Sequence, residues 1–279
     1  MKKELSLPKN RFEVFMDVIA HSWRTLLNIS LILGLFTLPI ILVVIFSRMV
    51  GIEILQNIDI NNSEELLKAV NEYFSHNVYT ILLICPAFLI ASFGFAGSFN
   101  MMKNLVWQNR VEYFGDLKKA IKGNVGKIIT NGILLSLIYA LCTFSYLYIT
   151  FLELNLLEQI ILIIISVLVS LVLLIQVFYG YSQMVIYTNS LFNFIKNNFI
   201  FTFVKLPRNI GIFLLTLILV PIGLLFTDVV GIVVVYSFYI LMGFGVAILL
   251  FTLNSHENFD MIINEKNYPQ LYKKGMDGK

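Results

Sequence analysis

Long apolar stretches without charged side chains alternate with polar segments along this sequence. About 20 helical residues cross the hydrocarbon core of a bilayer, and most of the stretches reach that length. The pattern therefore predicts an all-α, polytopic membrane helical bundle that forms one membrane domain over residues 1–279. Its six predicted transmembrane helices cover residues 26–46, 78–102, 128–152, 160–181, 210–226 and 229–253. The fifth is short, so a re-entrant segment is the alternative there.

Basic residues concentrate in every second connecting segment. Of the 20 lysines and arginines, 18 lie in the N-terminal tail, the second and fourth connections and the C-terminal tail. Because basic loops stay in the cytoplasm, both termini are predicted to be cytoplasmic, with residues 254–279 as a cytoplasmic tail. Residues 47–77 then form an extracytoplasmic loop, in which Ser63 begins a short helix with two glutamates in its first turn.

Apolar residues recur at helical spacing just before the first, third and fifth transmembrane stretches, with charged or amide side chains opposite them. The second of these segments runs from Trp107 to Ile128, and the third presents Phe192 and Ile195 on one face. Such helices lie in the lipid headgroup layer or dock a cytoplasmic protein. The candidate residues for this lipid or partner interface are Trp23, Trp107, Phe114, Lys118, Lys119, Lys122, Lys196 and Phe199. Three units of interfacial helix plus hairpin indicate a threefold internal repeat.

Composition agrees with a membrane location. Hydrophobic residues make up 58% of the chain, charged residues only 13%, and the mean hydropathy is +0.83. Soluble domains carry about 25% charged residues, so a soluble globule is excluded. The net charge of +3 is too small to indicate a nucleic-acid partner. Cys85 and Cys142 both lie in apolar runs without metal-ligand spacing, and they predict neither a disulfide nor a metal site.

The predicted transmembrane stretches contain no charged residue near their centres, which argues against a proton-coupled transporter. Uncharged polar residues form a candidate intramembrane polar path, or else bridge helices: Asn131, Tyr146, Gln176 and Tyr179. The small residues of the segment ASFGFAG, residues 91–97, predict close approach of another helix. No catalytic motif appears, so we expect no enzyme activity, no catalytic residues, no metal and no cofactor.

The later half of the chain resembles a known family. The relevant segments are Asn189-Ser190-Leu191, Ile195-Lys196-Asn197, Leu206-Pro207-Arg208-Asn209, Leu253-Asn254-Ser255 and Phe259-Asp260-Met261-Ile262, with an earlier match from Pro86 to Ala96 and at Met101-Met102-Lys103-Asn104. In patches between residues 86 and 279 these are similar to the signature of the YesL-type bacterial membrane proteins. The resemblance implies a bacterial plasma-membrane protein that accompanies sugar ABC importers and carries no catalytic residues.

Two functions remain as expectations from the sequence. The first is a non-enzymatic accessory or regulatory partner of a carbohydrate ABC importer or its sensor subunit, with membrane lipid as the other contact. The second is a stand-alone small-solute transporter. An enzyme that acts on lipid or cell-wall precursors ranks last, because no cluster of catalytic polar groups is visible.

Overall fold

The computed structural model describes residues 8–56, 63–152, 154–218 and 228–276, and within them the chain is all-helical without a strand. Eight helices follow one another. They are α1 (Arg11–Gln56), α2 (Ser63–Gln108), α3 (Tyr113–Lys122), α4 (Val125–Phe151), α5 (Leu156–Met184), α6 (Leu191–Phe203), α7 (Leu206–Thr216) and the composite α8. Helix α8 is α-helical over Asp228–Phe238, Phe244–Phe259 and Glu265–Asn267, and π-helical over Tyr239–Gly243 and Asp260–Asn264.

The prediction of an all-α bundle with several membrane spans is confirmed. Within the described residues, five helices are long and apolar enough to cross a bilayer: α1, α2, α4, α5 and α8. A sixth crossing exists only if α6 and α7 are counted together, and these two meet at a bend of 92°. The predicted fifth stretch falls partly on α7, whereas its residues 219–226 lie outside the described part of the chain.

Two predicted connections are wrong. Residues 47–56 continue α1 and residues 63–77 belong to α2, so most of the predicted extracytoplasmic loop consists of extended helix and its short helix is not separate. The apolar periodicity of 47–77 is enough to prolong both helices beyond the membrane core. The predicted amphipathic helix over 107–128 is divided among the end of α2, the ten-residue α3 and the start of α4.

Each predicted interfacial segment contains a local break near its end. In α1 the backbone leaves helical geometry at Ser22 (φ −125°, ψ 23°). Helices α3 and α4 are separated at Gly123 and Asn124, and α6 and α7 at Val204 and Lys205. The three breaks are consistent with the repeating plan of short helix followed by apolar helix.

Small residues let the helices approach closely, as the segment 91–97 predicts. A methyl group added at Gly94 would collide with Phe36 of α1, and one added at Gly97 would collide with Leu117 of α3. At Gly132 of α4, the added group would lie 2.9 Å from the Ser92 hydroxyl of α2. Close backbone approach through small residues is the usual way in which membrane helices pack.

The bundle has two chemically different ends. One end, called the basic end below, gathers the starts of α1, α3, α4, α6 and α7 and the ends of α2, α5 and α8. Contacts across it include Asn28 Nδ2 to the Tyr113 hydroxyl at 2.9 Å and Lys103 Nζ to the Val185 carbonyl oxygen at 2.9 Å. At the opposite end, the Ser47 hydroxyl of α1 lies 3.0 Å from His76 Nε2 of α2. Lysine-rich and glutamate-rich connections are therefore separated by the length of the bundle.

Candidate functional site

A buried network of amides and one phenol joins α5, α7 and α8 at the basic end. The Tyr179 hydroxyl donates to Asn209 Oδ1 at 2.8 Å, and Asn254 Nδ2 donates to the same oxygen at 2.9 Å. Asn258 Nδ2 donates to the Tyr179 hydroxyl and, at 3.2 Å, to Asn209 Oδ1. All four side chains are buried. Neutral amides suit such a place because they supply donors and acceptors without burying a charge.

Asn209 also fixes the bend between α6 and α7. Its amide nitrogen donates to the carbonyl oxygens of Phe201 at 3.2 Å, Thr202 at 3.1 Å and Val204 at 2.7 Å. These carbonyls end α6 and would otherwise lack partners, as at any helix C-terminus. Lys205 turns the chain in the left-handed region, at φ 52°. Pro207 then starts α7, where its missing N–H costs nothing.

The sequence of α8 explains how its share of the network forms. Asn254 and Asn258 are four residues apart, so both point from one face of the helix toward α5 and α7. Aromatic rings enclose the Tyr179 ring: Phe251 lies 5.2 Å and Phe201 5.9 Å from it between centroids. This apolar wrapping excludes water and strengthens each polar contact inside it.

Several buried polar atoms near this network make no hydrogen bond within the described protein. They are the side-chain nitrogen and oxygen of Gln183, both ring nitrogens of His256, and the amide oxygens of Asn131, Asn198, Asn254 and Asn258. Gln183 and His256 are almost fully buried. Buried polar atoms without protein partners are the places where water or a polar molecule binds.

Ion pairs and tyrosine contacts tie the ends of the chain to this region. Arg11 Nη2 lies 2.5 Å from Asp260 Oδ2, and both side chains are about nine-tenths buried. Asn264 Nδ2 donates to Asp260 Oδ1 at 2.8 Å, and the Tyr187 hydroxyl donates to Asn264 Oδ1 at 2.5 Å. Asp260 and Asn264 bound a π-helical turn, a feature frequent at functional sites. On α7, Arg208 pairs with Glu257 and holds the pKa of that carboxyl below its usual value.

A polar cavity of about 660 Å³ opens beside this region, between α2, α3, the start of α4 and the segment that joins α5 to α6. Three lysines line it: Lys103, Lys119 and Lys127. A second opening of about 720 Å³ lies at the opposite end, between α1 and α2.

Most of the predicted interface residues face outward from the basic end. Phe114 is 88% exposed, Phe199 56% and Trp23 48%. The four lysines predicted with them, Lys118, Lys119, Lys122 and Lys196, are exposed too. Trp107 differs, because it is half-buried under the C-terminal segment: Lys274 Nζ lies 4.5 Å and the His256 ring 5.4 Å from its ring centroid.

The four residues of the predicted polar path do not come together as one group. Asn131 is buried and donates to the Val177 carbonyl oxygen at 3.2 Å, and Tyr179 belongs to the amide network. Gln176 is half-buried on α5. Tyr146 is 52% exposed on α4, 15 residues beyond Asn131 and hence about 22 Å away along the helix. Bridging between helices therefore accounts for Asn131 and Tyr179.

Sequence reasoning missed the residues at the centre of this site. Asn209, Asn254 and Asn258 were not among the predicted site residues, and neither were the Arg11–Asp260 pair or Lys103. Residues 254–279 were predicted to form a tail, whereas helix α8 continues to Asn267 and buries Ser255, His256 and Phe259. Two asparagines at helical spacing directly after an apolar stretch are the signal that could have identified the continuation.

Long apolar helices with a polar core at one end define this chain as a multi-pass membrane protein. Among the described residues, no group of three or more His, Cys, Asp or Glu side chains could hold a metal ion. Comparison with protein-family models, with curated proteins and with solved structures finds no match for the chain.

Proposed function

We propose that this chain is a non-enzymatic bacterial plasma-membrane protein whose basic end faces the cytoplasm and binds another membrane component. The observation that carries the proposal is the outward exposure of aromatic side chains beside lysines on the short helices α3 and α6. Phe114 is 88% and Phe192 77% exposed, and Lys118 and Lys196 are exposed near them in the sequence. Aromatic side chains are enriched at protein interfaces, and aromatics with lysines beside them are typical of helices that lie on anionic membranes.

The buried network gives these helices a fixed position. Asn209 joins α6 to α5, α7 and α8, and Asn100 Nδ2 donates to the Asp116 carbonyl oxygen of α3 at 2.8 Å. A preorganised surface binds a partner with a smaller entropy cost than a mobile one. The arrangement therefore favours a docking surface over helices that merely float in the headgroup layer.

The resemblance to YesL-type proteins supplies the partner class: a carbohydrate ABC importer or its sensor subunit. The segments that carry the resemblance meet in the structure. Ser190 caps α6, Asn209 contacts Asn254, and Asp260 pairs with Arg11. Their shared position at the basic end supports a common role for these segments.

Site-specific crosslinking in native membranes tests the proposal. A photoreactive phenylalanine analogue would replace Phe114, and a matched control would carry it at Tyr148, which is 53% exposed at the opposite end. We expect the first to capture an importer or sensor subunit and the control to capture none. Crosslinks to lipid alone from position 114, or the same protein from both positions, would refute the docking surface.

A small-solute transporter is the second candidate, favoured by the unpaired buried atoms of Gln183, Asn131 and Asn198. Uptake of labelled sugars into liposomes that contain only this protein distinguishes the two functions. An accessory protein moves none. Uptake that a Gln183→Leu substitution abolishes would support the transporter instead.

A further inference from the structure

The cavity at the basic end has a positively charged lining with no acidic counterpart. Its wall contains Lys103, Lys119 and Lys127, and none of its described lining residues is Asp or Glu. Its volume of about 660 Å³ falls within the range of small-molecule sites, roughly 300–1,000 Å³. An apolar ligand would gain nothing from these ammonium groups, so the lining favours an anion.

Lys103 is held in a fixed place with hydrogen-bonding capacity to spare. Its ammonium group donates to Asn100 Oδ1 at 2.7 Å and to the Val185 carbonyl oxygen at 2.9 Å. A lysine ammonium has three N–H bonds, so one remains for a ligand. Its other neighbour is the Trp107 ring, 5.6 Å away at the centroid. Two anchoring bonds hold the charge in position before anything binds, which is the preorganisation that tight binding requires.

Lys127 and Lys119 stand on the other walls. Lys127 Nζ donates to Asn124 Oδ1 at 3.3 Å and lies 5.7 Å from the Phe194 ring centroid, and no carboxylate of the described residues pairs with it. Lys119 is more exposed, and its ammonium lies 3.8 Å from Glu112. Amides and a hydroxyl complete the lining, among them Asn104, Thr188 and Asn189. Ammonium, amide and hydroxyl donors arranged around one cavity match the many acceptor oxygens of a phosphate group.

The position of the cavity fits the same chemistry. Lys103 follows directly after the predicted transmembrane stretch 78–102, so the cavity lies at headgroup depth. Basic residues at that depth attract anionic lipids, and the cavity is also open enough to admit a soluble molecule. Burial lowers the pKa of Lys103 to about 8, and the neighbouring Asp116 opposes that shift. An anion would keep this lysine charged.

We propose that the cavity lined by Lys103, Lys119 and Lys127 is a binding site for a phosphate-bearing anion. The phosphate belongs either to the headgroup of an anionic phospholipid or to a soluble phosphate compound. This site is separate from the proposed docking surface on the outer faces of α3 and α6.

Titration of the purified full-length protein with inorganic phosphate in detergent, at constant ionic strength with chloride as reference, tests the site. We expect saturable binding that Lys103→Gln weakens at least about tenfold, as for the loss of a charged hydrogen bond. Lys119→Gln, at an exposed position where folding is safe, should weaken it about threefold. Lys266→Gln is the matched control, because it removes the same charge from an exposed position of α8 outside the cavity.

A second arm identifies the source of the phosphate. The protein is placed in nanodiscs of phosphatidylcholine with phosphatidylglycerol, and retained lipid is measured by native mass spectrometry. Selective retention of phosphatidylglycerol that Lys103→Gln removes supports the site and assigns it to a lipid. Binding of inorganic phosphate alone supports it and assigns it to a soluble ligand. Absence of both from the wild-type protein overturns the proposal, as does an equal loss in Lys266→Gln.

Discussion

Replacement of Asn209 by leucine tests whether the amide network holds the basic end together. Leucine has the same branched shape as asparagine, with two methyl groups in place of the amide oxygen and nitrogen, but it neither donates nor accepts a hydrogen bond. The substitution removes the acceptor of Tyr179, Asn254 and Asn258 and the donor to three carbonyl oxygens at the end of α6. We therefore expect the stability of this region to depend strongly on Asn209.

The magnitude follows from the number of contacts that are lost. The two amide hydrogens of Asn209 are shared among three carbonyl oxygens, and its amide oxygen accepts three hydrogen bonds. The substitution therefore removes about four to five interactions. Hydrogen bonds between membrane helices contribute about 0.6 kcal/mol each, and buried ones in soluble proteins about 1 kcal/mol. The free energy of unfolding should therefore fall by about 3 kcal/mol. For a chain of 279 residues that corresponds to a decrease in Tm of about 5 °C.

Fluorescence-detected size-exclusion chromatography after heating measures the shift in detergent. Asn28→Leu is the matched control, because Asn28 makes one exposed hydrogen bond, to the Tyr113 hydroxyl, and should lower Tm by no more than about 2 °C. A double-mutant cycle with Tyr179→Phe should show coupling of at least about 0.5 kcal/mol. Equal shifts for Asn209→Leu and Asn28→Leu would show that the network does not stabilise the fold.

Three further predictions concern other parts of the basic end. Arg11→Met should lower the free energy of unfolding by about 3 kcal/mol, measured by the same thermal assay, because Asp260 is then a buried charge without a cationic partner. The added substitution Asp260→Leu should restore part of the loss. Gly180→Ala should lower it by about 1–3 kcal/mol, since the new methyl group would lie 2.6 Å from the amide of a facing asparagine. Raising the pH from about 7 to about 9.5 should stabilise the wild type relative to Lys103→Gln. In that range folded Lys103, whose pKa is about 8, has released its proton, whereas the same lysine in the unfolded chain still binds one. The same rise in pH should weaken phosphate binding. The prediction is contradicted if the wild type and Lys103→Gln show the same dependence of stability on pH.

The membrane helices could be predicted from the sequence because charge is excluded from lipid and nothing else competes with that rule. Residues 26–46, 78–102 and 160–181 lie in the long helices α1, α2 and α5, and the predicted stretch 128–152 lies in α4 except for its last residue. Helix ends are harder to predict, because a helix does not stop where the membrane core stops. Gln56 ends α1 ten residues beyond the predicted stretch.

The orientation of the short helices required the structure. On α6 the predicted apolar face, with Phe192 and Phe199, points outward, while Phe194, Asn198 and Thr202 are buried. Periodicity analysis turns the most apolar face toward the protein, which is correct in water. Beside a membrane the polar face also turns toward the protein, because its amides form hydrogen bonds there that lipid cannot offer. Asn198 therefore marks the inner face better than the phenylalanines do.

The amide network could not be predicted from the spacing of residues along the chain, because its members are distant in sequence. Tyr179, Asn209 and Asn254 come from three helices, and only the bend at Lys205 aims Asn209 at the other two. A lone asparagine near the end of an apolar stretch has many equivalent explanations. Only tertiary contacts choose among them.

Buried hydrogen bonds and ion pairs are concentrated at the basic end of the bundle. The two ends of the molecule therefore differ in rigidity. In the first half of α5, Leu157, Ile161 and Ile165 are exposed to the surroundings, and its link to α4 there is the 2.7 Å contact between the Ser166 and Ser145 hydroxyls. Contacts between aliphatic side chains and lipid tails slide with little resistance. The connected ends of α4 and α5 are therefore held less firmly than the basic end. A change in bilayer thickness should displace these ends while the basic end keeps its conformation.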